Sequence, residues 1–224
     1  YNQLNTNQFL GTETFDDYRD NLVRTYVEKA LVLNPQDTTA HHLNANLLRK
    51  KKQWIEAESE YFQAIESDSQ SAAIYEDYAE FLYDVGRLEE AVEVGRRSYE
   101  LDPLTPLYIS SYAAALLDFG DYAAAERFHS LAFQQGEYGG SEFGLLSIMM
   151  MQGRYDAALA QINDPTSLLP DFSEFLPNLV DYAKGKATSI PKVSVNPENL
   201  GEYMEKYFAA VVLVGQGEID AAIK

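Results

Sequence analysis

The chain contains no cysteine, which excludes disulfides, thiolate metal sites and a cysteine nucleophile. Histidine is scarce as well, with His41, His42 and His129 the only side chains whose ordinary pKa falls near neutrality. The paired histidines of HExxH, a phosphate-cradling glycine loop, a nucleophile elbow and an EF-hand loop are all missing. Positive charge is short: 17 basic side chains face 35 acidic ones, giving a formal charge of −18 and an isoelectric point near 4.4. Such a field repels phosphate backbones and anionic lipid, so nucleic acid is not an expected partner and a basic or neutral protein segment is. Long apolar runs are also lacking. The longest lies around Phe208 to Val214, below the roughly 18 residues needed to span a bilayer, so direct membrane insertion is not expected. These absences predict a soluble, non-enzymatic protein, cytoplasmic or periplasmic, with no catalytic residue, cofactor or metal.

What the chain does have is a repeat. Gln53-Trp54-Ile55-Glu56-Ala57, Arg87-Leu88-Glu89-Glu90-Ala91, Asp121-Tyr122-Ala123-Ala124-Ala125 and Arg154-Tyr155-Asp156-Ala157-Ala158 are one phrase at steps of 34, 34 and 33 residues. Gly86, Gly120 and Gly153 fall just before the phrase, with Lys52 in the first copy. Earlier in each copy stand Ala45, Ala79 and Ala113, then Leu48, Leu82, Leu116 and Met149. Each unit reads as a helix of about 14 residues, a tight glycine turn and a second helix closed by a proline or polar break. The 46% hydrophobic and 12% aromatic content is ample for a buried core.

This pattern resembles the tetratricopeptide repeat family. Ala57, Ala91, Ala125 and Ala158 match the alanine that lets the two helices of a unit approach, Ala64 and Ala132 match a second such alanine, and Trp54, Leu88, Tyr122 and Tyr155 match the large residue after the turn. The family's early glycine is replaced by Ala45, Ala79 and Ala113, its early tryptophan by His41, Tyr75 and Ile109, and its later aromatic is kept only at Tyr61. The resemblance implies an all-α fold, an α-solenoid of antiparallel helix pairs wound into a superhelix, whose function is set by what it holds.

Along the chain, residues 1–11 read as a polar lead-in and 12–164 as the array, a closing helix followed by four full repeats. Residues 165–200 interrupt it with a Ser, Thr, Pro and Asn-rich insert containing one amphipathic helix near 173–184. Gly217, Ile219 and Ala222 then restore the period in an incomplete repeat at 201–224. That open end implies further chain, a partner, or a second copy making a homodimer. The first residue, Tyr1, is not methionine, so a longer protein is expected.

Several conspicuous residues have plain readings. Gly215-Gln216-Gly217 follows a helix rather than a strand and is taken as a turn. His41 and His42 point about 100° apart on a helix and are expected to be one packed and one exposed side chain rather than metal ligands. His129 occupies an aromatic slot and is expected to pack. The Arg49-Lys50-Lys51-Lys52 run ends a helix, where cations offset the dipole. Glu89, Glu90, Asp118 and Asp121 flank turns and helix starts and are not paired into an acid–base couple.

In the family the first helix of each unit lines a concave groove. The resemblance places there His42, Asn46, Arg49 and Lys50 in the first unit, then Glu76, Glu80, Tyr83 and Asp84 in the next. The third unit supplies Leu107, Ser110, Ala114, Leu117 and Asp118, and the fourth Phe143, Ser147, Met150 and Met151. The order is basic, then acidic with tyrosine, then apolar, which suits an extended peptide or a helix. Leu117, Met150 and Met151 are equally accounted for by packing against the 165–200 segment. The expected role is a protein-interaction scaffold in a larger bacterial regulatory or assembly protein, since Leu101-Asp102-Pro103-Leu104-Thr105-Pro106 resembles repeat junctions of bacterial signalling proteins. The alternative is a ligand-sensing domain of a transcription regulator or nucleotide cyclase, with residues 165–200 as a lid near Tyr83, Phe143 and Met150.

Overall fold

The computed structural model describes residues 15–137, 139–167, 172–186 and 210–213. The described residues form helices and turns with no β-strand. They divide into two compact units. The first, within residues 1–103, holds α1 (Phe15–Leu33), α2 (Thr38–Lys50), α3 (Trp54–Ser67), α4 (Ala72–Asp84) and α5 (Leu88–Leu101). The second, within residues 104–224, holds α6 (Pro106–Phe119), α7 (Tyr122–Gln134), α8 (Gly139–Met151), α9 (Tyr155–Ile162) and α10 (Phe172–Ala183), and residues 210–213 are again helical. Each unit stacks helix pairs joined by tight turns, the all-α solenoid that the spacing predicts. The lead-in, and the incomplete terminal repeat apart from residues 210–213, lie outside the described residues.

The recurring glycine has a backbone cause. Gly86, Gly120 and Gly153 carry φ of +79°, +96° and +71°, the left-handed conformation that costs glycine least. Lys52 takes the same conformation at φ +59° despite its side chain. In each turn the next residue donates its N–H back to the recurring large apolar position. Gln53 reaches the Leu48 carbonyl at 3.0 Å, Arg87 reaches Leu82 at 2.9 Å, Asp121 reaches Leu116 at 2.9 Å and Arg154 reaches Met149 at 2.8 Å. This bond closes the first helix of each pair and aims the chain into the second. Two starts carry side-chain caps: Asp37 accepts from the Ala40 N–H at 2.8 Å, and Asp121 from the Ala124 N–H at 3.1 Å.

The alanine slots are buried throughout: Ala45, Ala57, Ala64, Ala113, Ala125, Ala132 and Ala158 are fully covered, with Ala79 and Ala91 nearly so. A larger side chain there would separate helices held at contact distance. Aromatic rings fill the gaps in the first unit, where Tyr61, Tyr78 and Phe81 cluster with Trp54 at the edge. In the second unit Leu146, Met150, Ala158 and Ile162 from α8 and α9 pack with Phe175, Leu176, Leu179 and Val180 of α10. Val211 and Val212 join that cluster.

Ala91→Leu is expected to overpack the α4–α5 pair and to cost about 1–3 kcal/mol, whereas Glu89→Leu, at an exposed position of the same turn of helix, should cost within about 0.5 kcal/mol. Urea denaturation of the two variants checks this; equal midpoints would mean that the alanine does not set the helix separation.

Candidate functional site

In the first unit α2 and α4 lie side by side and their facing polar groups meet. His42 Nε2 stands 2.5 Å from the Asp77 carboxylate, and Asn46 donates to the same oxygen at 2.7 Å. Asn46 is itself held by the Tyr61 hydroxyl, which donates to its Oδ1 at 2.5 Å. One turn further on, Arg49 pairs with Glu80 at 2.6 Å and lies 3.6 Å from Asp84. Lys50 turns the other way and pairs with Asp20 of α1 at 2.7 Å. The basic start of the expected groove is therefore neutralised by the chain's own carboxylates. Arg49 and Lys50 reach across to other helices, and Lys51 is the residue that caps α2.

Burial alone would raise the Asp77 carboxyl, but the hydrogen bonds from His42 and Asn46 outweigh it and hold Asp77 below the usual carboxylate range. Arg49 is desolvated too, and the Glu80 contact more than compensates, keeping its guanidinium charged. Tyr61 is pushed well up by burial, so its hydroxyl stays a donor.

His42 departs from the expected split into one packed and one exposed histidine, because it is half-buried against Asp77. His41 is buried, with Nδ1 2.6 Å from Glu60 and Nε2 2.9 Å from the Pro35 carbonyl. Both neighbours are acceptors, so the ring meets them best when doubly protonated. Burial opposes that charge, the Glu60 and Pro35 contacts overcome it, and the His41 pKa is raised.

Of the second helix's expected groove residues, Glu76 is buried, whereas Glu80, Tyr83 and Asp84 are exposed, Tyr83 at 49%. The carboxylate that meets His42 is its neighbour Asp77. The pairs His42–Asp77, Asn46–Asp77, Arg49–Glu80 and Arg49–Asp84 are separated by 35, 31, 31 and 35 residues. Those offsets straddle the 34-residue period by one residue and by three, a spacing rule that would have singled out Asp77 in advance.

In the second unit Leu107, Ala114 and Asp118 are exposed along α6, while Ser110 and Leu117 are buried. Asp118 is exposed yet recessed enough that desolvation pushes its carboxyl up to about 6. On α8 Ser147 and Met150 are fully buried, and Phe143 and Met151 are half-buried against the cluster that contains α10. Met150, and Met151 at its edge, belong to the same packed cluster as Phe175, Leu176 and Leu179 of α10. Glu90 is engaged by Arg87 at 2.6 Å, and Asp121 is a helix cap. Among the described residues no group of three or more His, Asp or Glu is placed to hold a metal ion, and no helix is long and apolar enough to cross a membrane.

No family model matches the chain, and no curated protein matches it by sequence. Solved structures do. PilW, titled a widely conserved type IV pilus biogenesis factor, superposes with a TM-score of 0.64 at 18% identity over 93% of this chain and 92% of its own. PilF of Pseudomonas aeruginosa gives 0.60 at 16% identity, covering 93% of this chain and 82% of its own. YrrB, titled a TPR protein with an unusual peptide-binding site, gives 0.58 at 16% identity over 88% and 95%. The chain has the tetratricopeptide-repeat fold. Its departures from the repeat pattern then mark where this chain differs from a plain scaffold.

His129 is one such departure. It stands 68 residues, two repeat periods, from Tyr61, and is buried at 2% exposure with neither ring nitrogen hydrogen-bonded. The α8 backbone lies against the ring, and a methyl group on Gly144 would come within 2.2 Å of Nε2. Desolvation lowers the His129 pKa from 6.5 to about 4, against a smaller opposing pull from Glu137. The unfolded chain therefore takes up this proton first as pH falls, and stability contributed by neutral His129 is lost between those two values. At about 1.4 kcal/mol per pH unit the loss reaches on the order of 3 kcal/mol. His41, whose pKa is raised, has the opposite sign: its contribution is full below about 6.5 and fades as pH rises through its folded value. His129→Phe is expected to reduce the acid loss by most of that amount, read as the difference in urea midpoint between pH 7 and pH 4.5 for the variant and the parent chain. An unchanged difference would show that the imidazole is solvated in the native state.

Proposed function

We propose that the chain is a non-catalytic protein-interaction scaffold that holds a basic peptide or helix on the α2–α4 face of its first unit. The observation that carries this reading is Tyr83, a large aromatic exposed at 49% between the exposed carboxylates Glu80 and Asp84. Asp77, Glu80 and Asp84 outnumber the cation Arg49 on that face, so the local field has the sign of the whole chain. Ion pairing between α2 and α4 makes the face rigid before any partner arrives, which lowers the ordering cost of binding. Aromatic side chains ringed by polar groups are the usual anchors of such surfaces.

The likeness to YrrB, a TPR protein with an unusual peptide-binding site, supports an extended partner, and the likeness to PilW, a type IV pilus biogenesis factor, supports a role in bacterial assembly. The partner is recognised by positive charge and one apolar side chain seated on Tyr83.

A labelled Lys- and Leu-rich peptide is expected to bind the chain with an affinity that falls as salt rises, while a Glu-substituted twin stays unbound. Tyr83→Ala should weaken binding by about 1–2 kcal/mol, roughly 5- to 30-fold, with an unchanged circular dichroism spectrum. Fluorescence anisotropy measures both. Equal binding of the acidic twin, or no loss in the folded variant, would remove the α2–α4 face as the site.

A further inference from the structure

The first unit contains the same helix junction twice, and the two copies are filled differently. At the second junction, α3 against α4, three buried rings fill the interior and a fourth lies at its exposed edge: Tyr61 and Tyr78 stand 5.4 Å apart, Tyr61 and Phe81 5.6 Å, and the exposed Phe62 ring is 5.6 Å from Tyr78. Its polar edge is an internal pair, in which Arg87 donates to the Glu58 carboxylate and the Tyr78 hydroxyl donates to it at 3.0 Å. The pair recurs in the second unit, where Arg154 donates to Glu126 at 2.7 Å.

One period of 34 residues earlier, at the junction of α1 with α2, the four ring positions read Val27, Glu28, Asn44 and Leu47. The rings are not replaced by anything of their size. A cavity of about 340 Å³ opens there, floored by Val27, Leu31, Leu47 and Leu48 and rimmed by Arg24 and Lys51. The polar edge has changed as well: Arg24 stands where Glu58 stands in the next copy, and Gln53 where Arg87 does. The junction thus carries a cation at position 24, where the α3–α4 and α7–α8 junctions carry Glu58 and Glu126, and the one carboxylate on its wall is Glu28. Neither Arg24 nor Lys51 forms an ion pair among the described residues.

We propose that the α1–α2 cavity binds an aromatic carboxylate, the ring occupying the space that Tyr61, Tyr78 and Phe81 fill one repeat later, and the carboxylate resting on Arg24 and Lys51. Guanidinium and carboxylate make the stronger, charge-assisted class of hydrogen bond, which fixes the orientation of a ring held otherwise by apolar contact. Glu28 and Asn44, also on the wall, accept from a nitrogen next to that carboxylate. Two sources share this chemistry: the C-terminal aromatic residue of a peptide, and a free aromatic acid. The site uses α1 and the opposite side of α2 from His42, Asn46 and Arg49, so it stands or falls apart from the α2–α4 face.

The test titrates the chain with a short peptide ending in phenylalanine, the same peptide as its C-terminal amide, the same peptide ending in alanine, and phenylacetate, following the methyl resonances of Val27, Leu31 and Leu47. The phenylalanine peptide or phenylacetate is expected to shift those methyls, with the amide and the alanine peptide at least about tenfold weaker. Binding of the peptide alone assigns the site to chain termini, and binding of phenylacetate alone assigns it to free acids. Arg24→Gln, a change at the rim, should weaken binding by about tenfold. Asn44→Tyr combined with Leu47→Phe, which returns two of the rings, should raise the melting temperature and abolish binding. If that variant does not fold, Arg24→Gln and the acid–amide comparison still decide. No methyl shift with any probe at millimolar concentration, equal affinity of amide and acid, or undiminished binding by the filled variant would overturn the proposal.

Discussion

Contact between helices at the alanine positions is the constraint from which the other features follow. Ala57, Ala91, Ala125 and Ala158 have no room around them, so the two helices of each pair meet backbone to backbone and their relative angle is set. A pair that close leaves little apolar surface of its own to bury, which is why the next pair must stack on it and why larger side chains are confined to the junctions between pairs. The left-handed turn at Gly86, Gly120 and Gly153 serves the same end, because it returns the chain within three residues and satisfies the last carbonyls of the first helix.

Against that constant frame the junctions vary, and the variation carries the chemistry. The α3–α4 junction is closed by rings and a Glu58–Arg87 pair, the α7–α8 junction holds a neutral imidazole under Gly144, and the α1–α2 junction has a cavity. These are three contents for one geometrical slot. Burial sets the outcome at each. A histidine between two acceptors holds its second proton more tightly at position 41, and a histidine facing only backbone and carbon holds it less tightly at position 129. The acidic balance of the chain acts at longer range, leaving an excess of carboxylates around Tyr83 even after Arg49 has been paired.

The fold was legible because a repeat writes each structural requirement several times: three glycines at one slot and four alanines at another cannot all be accidents of local context. Tyr83 was legible as a surface residue for the same reason. Glu76 was placed one residue away from the carboxylate that meets His42, because a groove position carried over at the period itself ignores the offset of neighbouring helices, visible in the separations of 31 and 35. Met150 and Ser147 read as groove residues by register, yet α10 and the body of the unit cover them. The helix α10 (Phe172–Ala183) was legible as the amphipathic stretch near 173–184, but its packing partners were not, because it falls in the interruption of the repeat.

The amino-acid order by itself determined the helix pairs, their turns and the lack of any disulfide or thiolate ligand, since these depend on backbone conformation and on which groups exist at all. Only the tertiary structure decided which groups are charged, covered or open. His42 could have faced water, Met150 a ligand and Val27 a ring. Each of those outcomes depends on what a different helix brings within a few ångströms, and desolvation and pairing energies are properties of that meeting rather than of either segment.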